Sequence, residues 1–99
     1  MIAFNRTASI APGKNGSAIA FAQEIATYMK NAYDVSLEVL TPIGGNPNRI
    51  TWSARYKDLA ALDAVNTKIL SDKQYWEVLS KATDCFLPGS VHDSIWRTL

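Results

Sequence analysis

Few side chains in this sequence are suited to chemistry, and the charged residues Arg6, Asp93 and Arg97 are the first of them. Arg6 interrupts the apolar side of an alternating segment, and Asp93 and Arg97 lie on the corresponding side of the last segment. A buried charge is costly unless it is paired. In one interpretation, therefore, Arg6 pairs with Asp93 while Arg97 extends at the sheet margin. In the other, the three form the polar end of a pocket in which Arg6 binds a carboxylate or an enolate.

Aromatic residues supply walls for such a pocket. Trp52 and Tyr56 lie on the apolar side of the third alternating segment, and Tyr75 and Trp76 lie in a helical one. Tryptophan and tyrosine more commonly fill a core than hold a ligand, so only a cavity beside them favours the second role. The sequence thus predicts no catalytic residue, but it predicts a ligand-binding set consisting of Arg6, Trp52, Tyr56, Tyr75, Trp76, Asp93 and Arg97.

The remaining candidates for chemistry are weaker. His92, the sole histidine, titrates near neutrality, but no carboxylate stands at a spacing that would orient it as a general base. We expect it at the surface or at an interface, and haem binding would require it to point into an open pocket. Cys85 is expected to be a packed thiol. The segment 13–16 lacks the spacing of a phosphate loop and is interpreted as a turn.

Composition sets the limits within which these residues act. One cysteine and one histidine cannot build a structural zinc site, and we expect neither a metal nor an organic cofactor. The 99 residues, 47% of them hydrophobic, suit a single domain over residues 1–99. No apolar run reaches membrane-spanning length and no secretory signal is evident, so a cytoplasmic protein without a membrane partner is expected. The net charge of +1, with interspersed signs, argues against a nucleic-acid partner.

Alternation and helical spacing define the elements that must position these side chains. Period-two patterns over residues 2–11, 35–41, 50–57 and 91–99 predict strands. Three- and four-residue spacing predicts a helix over 17–33, and Asp58 and Asp72 are expected to cap two more, with a break near Ser71. The order βαββαβ predicts an α+β, ferredoxin-like fold: a four-stranded antiparallel sheet with its helices on one face and strands one and three in the centre.

The other face of this sheet predicts an assembly. It combines small hydroxyl residues with Leu40 and Trp96, which would not usually be left together in water. A homodimer formed by two such sheet faces would cover them, whereas a monomer with a solvated face is the alternative. Glu38 and Arg55 share this face, and a hairpin pivoting on Asn46-Pro47 places them nearly opposite, so a cross-strand ion pair is expected.

The layout of the whole chain resembles the dimeric α/β-barrel superfamily, which includes antibiotic-biosynthesis monooxygenase-type, NIPSNAP-type and muconolactone-isomerase-like proteins. The resemblance rests locally on the strand 51–56, the helix start 58–62, the helix break 70–75 and Pro88-Gly89-Ser90 before the last strand. It implies a homodimer and a small organic ligand between sheet and helices. It does not choose a reaction, because this fold carries many.

Two functions follow from these observations. The first is a homodimer that binds a small, largely apolar organic molecule, aromatic or polyketide-like, and acts on it without a cofactor in the manner of an oxygenase or isomerase. Arg6 would neutralise negative charge on that molecule, and Trp52 and Tyr56 would orient it. The second is a structural or interaction protein whose dimer face is its functional surface. An interior filled by Trp52, Tyr75 and Trp76 favours the second function, and an open interior favours the first.

Overall fold

The computed structural model describes all of residues 1–99. Its elements follow the predicted order, with the second helical region divided in two. They are β1 (Ile2–Ser9), α1 (Asn15–Tyr33), β2 (Glu38–Leu40), β3 (Arg49–Tyr56), α2 (Leu59–Leu70), α3 (Lys73–Ser80) and β4 (His92–Arg97).

The strands form one antiparallel sheet in the order β2-β3-β1-β4. Strands β1 and β3 occupy the centre, as predicted, and pair along their full lengths from Ile2 opposite Tyr56 to Ser9 opposite Arg49. With the helices packed on one face, this order is the ferredoxin-like arrangement. The predicted fold class is confirmed.

The core lies between the helices and the predicted apolar side of the strands. In β3 every second residue, from Ile50 to Tyr56, is buried. In α1 the buried stripe includes Ala18 and Ala22, which are fully covered. Such small side chains let a helix axis lie close to the sheet beneath it. Cys85 is also buried in this core as a free thiol, as expected.

Both predicted N-caps are present. The side chain of Asp58 accepts a hydrogen bond from the amide of Ala61 at 2.9 Å, and that of Asp72 accepts one from the amide of Tyr75 at 3.1 Å. Each carboxylate satisfies an amide that the first helical turn leaves without a partner. The predicted break in the helical region is also present, because α2 ends at Leu70 and Ser71 is its C-cap.

The second strand is shorter than its alternation predicts. Asp34 ends α1 in the left-handed conformation with φ 54°. The amide of Val35 then bonds back to the carbonyl of Met29 at 3.3 Å. This C-terminal cap uses the amide of Val35, which would otherwise be available for pairing in the sheet. Pairing in β2 begins only at Glu38. The start of α1, at Asn15, is two residues earlier than predicted.

The expected ion pair between Glu38 and Arg55 is wrong. The two residues share a sheet face, but Glu38 lies opposite Ser53. The pairing is therefore displaced by two residues from the predicted register. A shift of two conserves which side chains face the core, so the apolar pattern does not distinguish the two registers.

The chain reaches β4 through a tight turn. Pro88 and Gly89 are its central residues, Gly89 has φ 72°, and the amide of Ser90 bonds to the carbonyl of Leu87 at 3.2 Å. These are the residue types and the glycine conformation of a type II turn. All six residues of β4 are exposed, including Ile95 on the predicted apolar side, so the helices do not cover this edge strand as expected. None of the helices is long and apolar enough to cross a membrane.

Candidate functional site

A cavity of about 530 Å³ lies between the sheet and the helices. Thirteen of the sixteen residues that line it are hydrophobic, and Arg6 is the one charged residue among them. Cavities of this size and composition are typical of sites for small organic ligands. The interior is therefore open, whereas a purely structural protein was expected to fill it.

Three of the predicted site residues form one row across the floor of this cavity. Arg6 in β1 lies directly opposite Trp52 in β3 and, on its other side, opposite Asp93 in β4. Directly opposed residues of antiparallel strands point to the same face. The alternation that places Arg6 on an apolar strand face therefore also places it beside Trp52 and Asp93.

The guanidinium of Arg6 is held on two sides. Its Nε donates to Oδ1 of Asp93 at 2.7 Å, and its Nη2 donates to Oδ2 at 2.9 Å. Its Cζ also lies 5.6 Å from the centre of the Phe4 ring. The bidentate bond to Asp93 raises the pKa of Arg6 above its ordinary value. The predicted Arg6–Asp93 pair is confirmed, and at 41% and 39% exposure the two side chains are only partly withdrawn from water.

Tyr75 brings a hydroxyl to the same end of the cavity. Its side chain is buried, and this burial raises the pKa of the phenol, while the charge of Arg6 lowers it. Tyr56 is buried nearby in the core and its pKa is raised in the same way, again opposed by the charge of Arg6. Only Tyr75 lines the cavity.

Three aromatic rings close another part of the wall. Trp52 makes edge contacts with Phe21 and tilted contacts with Phe86, with ring centres 6.2 and 6.0 Å apart. The indole Nε1 of Trp52 donates to the carbonyl of Ala22 at 3.3 Å, which fixes the ring beneath α1.

Sequence reasoning missed Phe21 and Phe86. Phe21 lies three residues after Ala18 and four before Ile25, so helical spacing could have identified it. Phe86 belongs to an irregular segment that meets the residue after β1 through an isolated bridge to Ile10. No periodicity marks such a residue.

Helix α3 forms a roof over the cavity with Tyr75, Trp76 and Leu79. The indole Nε1 of Trp76 donates to the carbonyl of Ile69 at 3.0 Å, although its ring is half exposed. Asp72, which caps α3, also accepts hydrogen bonds from two tyrosine hydroxyls of α1. These bonds attach the first turn of α3 to α1.

The structure brings only part of the predicted ligand-binding set to the cavity. Arg6, Trp52, Tyr75 and Trp76 line it, and Asp93 bonds Arg6 from the neighbouring strand without lining the cavity itself. The other two do not reach the lining: Tyr56 and Arg97 lie on either side of Ile2, four residues along the strands from the row of Arg6, Trp52 and Asp93. His92 lies opposite Thr7 on the outer sheet face. It therefore does not point into the cavity, whereas haem binding would require it to do so.

Comparison with solved structures places this fold among two groups of proteins. The whole chain superimposes on a NIPSNAP domain protein from Burkholderia xenovorans with a TM-score of 0.84 and 18% identity, covering 95% of that chain. A NIPSNAP family protein with unknown function from Agrobacterium tumefaciens gives a TM-score of 0.83 at 14% identity, with 99% of this chain and 87% of that one covered. A candidate antibiotic biosynthesis monooxygenase from Nitrosomonas europaea gives 0.75 at 14% identity, covering 100% and 99%.

These similarities confirm the resemblance at the level of the fold. The chain shares the α+β, ferredoxin-like fold of the NIPSNAP and antibiotic biosynthesis monooxygenase-type structures. No protein-family model matches the sequence, and no curated protein sequence does. Identities below one fifth leave the function to be argued from the site itself.

Proposed function

We propose that this protein is a homodimer that binds one small, largely apolar organic molecule in the cavity of each subunit. The observation that carries the proposal is the open space of about 530 Å³ between sheet and helices, lined mainly by hydrophobic residues. A structural protein gains stability by filling such a space, because each unfilled methyl-sized volume costs about 1 kcal/mol. A cavity that is left open in spite of this cost therefore favours a ligand-binding function over a structural one.

The lining indicates the shape of that ligand. Trp52 and Phe21 present flat aromatic surfaces, and Arg6 and Tyr75 present donor groups at one end. A planar aromatic or polyketide-like compound with one oxygen substituent complements both parts. Donors that converge on one oxygen also stabilise negative charge developing there. Cofactor-free isomerase- or oxygenase-like chemistry is the reaction class compatible with this site.

The outer sheet face supports the homodimer. Its central residues are small, and Thr7 and Thr51 hydrogen-bond to each other across the strands at 2.8 Å. Leu40 and Trp96 are 44% and 62% exposed on the same face. A second copy of the sheet would cover both, and the small central residues would permit close approach.

The three tryptophans allow a direct test of the cavity. Trp52 and Trp76 line it, whereas Trp96 lies opposite Ala3 on the outer sheet face. The protein is labelled with nitrogen-15 and titrated with 2-acetonaphthone, a neutral bicyclic ketone. We expect the indole resonances of Trp52 and Trp76 to shift with a common saturation curve, while that of Trp96 stays in place.

Each alternative gives a different spectrum. A shift confined to Trp96 would indicate binding at the sheet face and contradict the proposal. The absence of shifts up to the solubility limit of 2-acetonaphthone would contradict it as well, and would favour an interaction protein with an unused interior. An Ala8→Leu variant, which places a larger side chain at the cavity floor, serves as a control and should weaken the Trp52 and Trp76 shifts.

A further inference from the structure

We infer that the ligand carries an uncharged oxygen acceptor, such as a ketone, at the Arg6 end of the cavity, and that the site discriminates against carboxylates. This inference rests on the proposed function and specifies the chemical class of its ligand. It reverses the sequence-based expectation that Arg6 receives a carboxylate or an enolate. Its basis is the way in which Asp93 engages Arg6.

Asp93 already compensates the charge of Arg6. Both carboxylate oxygens bond the guanidinium, at 2.7 and 2.9 Å, in the planar bidentate geometry that arginine and carboxylates favour. The pair carries no net charge. A second carboxylate would meet Arg6 at an interaction already satisfied and would also be repelled by Asp93.

Nothing else in the lining compensates an anion. Besides Arg6, the polar groups that line the cavity are the hydroxyls of Tyr75, Ser80 and Thr83, and none of these side chains is a cation. The hydroxyl of Ser80 donates to the carbonyl of Glu77 at 2.7 Å, within its own helix. A carboxylate entering this apolar space would lose its hydration without gaining a counter-charge, which is a large cost.

A neutral oxygen meets a better arrangement. Two of the five N–H groups of Arg6 are engaged by Asp93, so the guanidinium retains donors for another acceptor. Tyr75 lines the same cavity, and its phenol lies close enough to Arg6 for the charge of Arg6 to oppose the rise in its pKa that burial causes. A carbonyl oxygen has two lone pairs and accepts from both groups. It arrives with a modest desolvation cost and satisfies two donors.

The test compares two ligands of nearly the same shape. 2-Acetonaphthone and 2-naphthoate differ in a methyl ketone against a carboxylate, and both are titrated against the Trp52 and Trp76 indole resonances at neutral pH. We expect the ketone to bind at least about tenfold more tightly. The Asp93→Asn variant leaves the charge of Arg6 uncompensated and should shift the preference towards 2-naphthoate by about tenfold or more. Asp84→Asn is the matched control, because Asp84 pairs with Lys14 outside the cavity, and it should leave the preference unchanged.

The outcomes separate this inference from the proposed function. If neither compound shifts the two indoles, the proposed function fails. If 2-naphthoate binds the unmodified protein as tightly as the ketone or more so, ligand binding stands and the inference is overturned. If the ketone is preferred but Asp93→Asn, folded as judged by its spectrum, changes nothing, the assignment of the preference to Asp93 is overturned. Only a ketone preference that weakens in Asp93→Asn and persists in Asp84→Asn supports it.

Discussion

At the scale of single residues, one arginine on an apolar strand face gives the cavity its polarity. Arg6 is oriented by Asp93 on one side and by the ring of Phe4 on the other. A side chain fixed in this way loses little conformational freedom when it donates to a ligand. The bonds to Asp93 therefore fix the direction of the remaining N–H groups of Arg6 before any ligand binds.

Replacing Arg6 tests this role. We expect Arg6→Ala to weaken binding of 2-acetonaphthone by about tenfold or more, because a hydrogen bond from a charged donor contributes roughly 1.5 to 3 kcal/mol. The measurement is the dissociation constant from the Trp52 and Trp76 indole shifts. Asp93 is 39% exposed, so the loss of its partner leaves a carboxylate that water can reach and the fold should survive.

Lys68→Ala is the control, since it removes one positive charge from an exposed position of α2. Equal affinities of the unmodified protein and Arg6→Ala would remove Arg6 from the site. Equal losses in both variants would indicate a general effect of charge.

At the scale of elements, the roof of the cavity depends on one carboxylate that joins two helices. Asp72 caps α3 through Oδ1 and accepts bonds from Tyr28 and Tyr33 of α1 through Oδ2. The bonds from the two phenols lower the pKa of Asp72. In return, the hydrogen bond to Asp72 raises the pKa of Tyr28 to about 12, and burial together with Asp72 raises that of Tyr33 to about 12.

This coupling predicts the alkaline behaviour of the protein. An unfolded tyrosine ionises near pH 10, so these two phenols contribute stability that is complete below pH 10 and is lost as the pH rises towards 12. In Asp72→Asn we expect phenolate absorbance to appear at lower pH. Tyr28 should move further than Tyr33, because the bond to Asp72 is its largest contribution whereas burial is the largest for Tyr33.

Asp58→Asn is the matched control. It changes the cap of α2 in the same way, but Asp58 bonds only the amide of Ala61. Asparagine also caps helices well, so neither variant should lose its helix. An Asp72→Asn titration curve identical to that of Asp58→Asn would show that Asp72 does not hold the two phenols.

At the scale of the whole molecule, the sheet has a covered face and an uncovered one. Helices cover the face that bears the cavity, and the outer face bears the Thr7–Thr51 hydrogen bond at its centre. The proposed homodimer assigns the outer face to a second copy. The cavities would then lie on the far side of each sheet from the interface.

A charge placed in the middle of that face tests the assembly. We expect the unmodified protein to sediment as a dimer and Thr51→Lys to sediment as a folded monomer, because burying a lysine between two packed sheets is costly. Thr67→Lys makes the same change at an exposed position of α2 and should remain dimeric. A monomeric unmodified protein, or a Thr51→Lys variant that still dimerises, would contradict the proposed interface.

Local chemistry explains how much of this fold was predictable from the sequence. Alternation assigns the inward side of β1 and β3, since each side chain direction follows from its neighbour along the same strand. Asp58 and Asp72 predict helix starts because a cap acts within three residues. The placement of Arg6 beside Asp93 follows from the same alternation once the strand order is known.

What required the tertiary structure depends on distances between segments that are remote in the chain. The β2–β3 register places Glu38 opposite Ser53, and local patterns cannot select it, because a slip of two residues leaves the apolar pattern intact. Phe86 enters the cavity wall from an irregular segment. The sequence by itself determined which residues of β1 and β3 face the helices. Only the packed structure decided that their volumes leave a cavity, because that depends on how closely the helices approach the sheet.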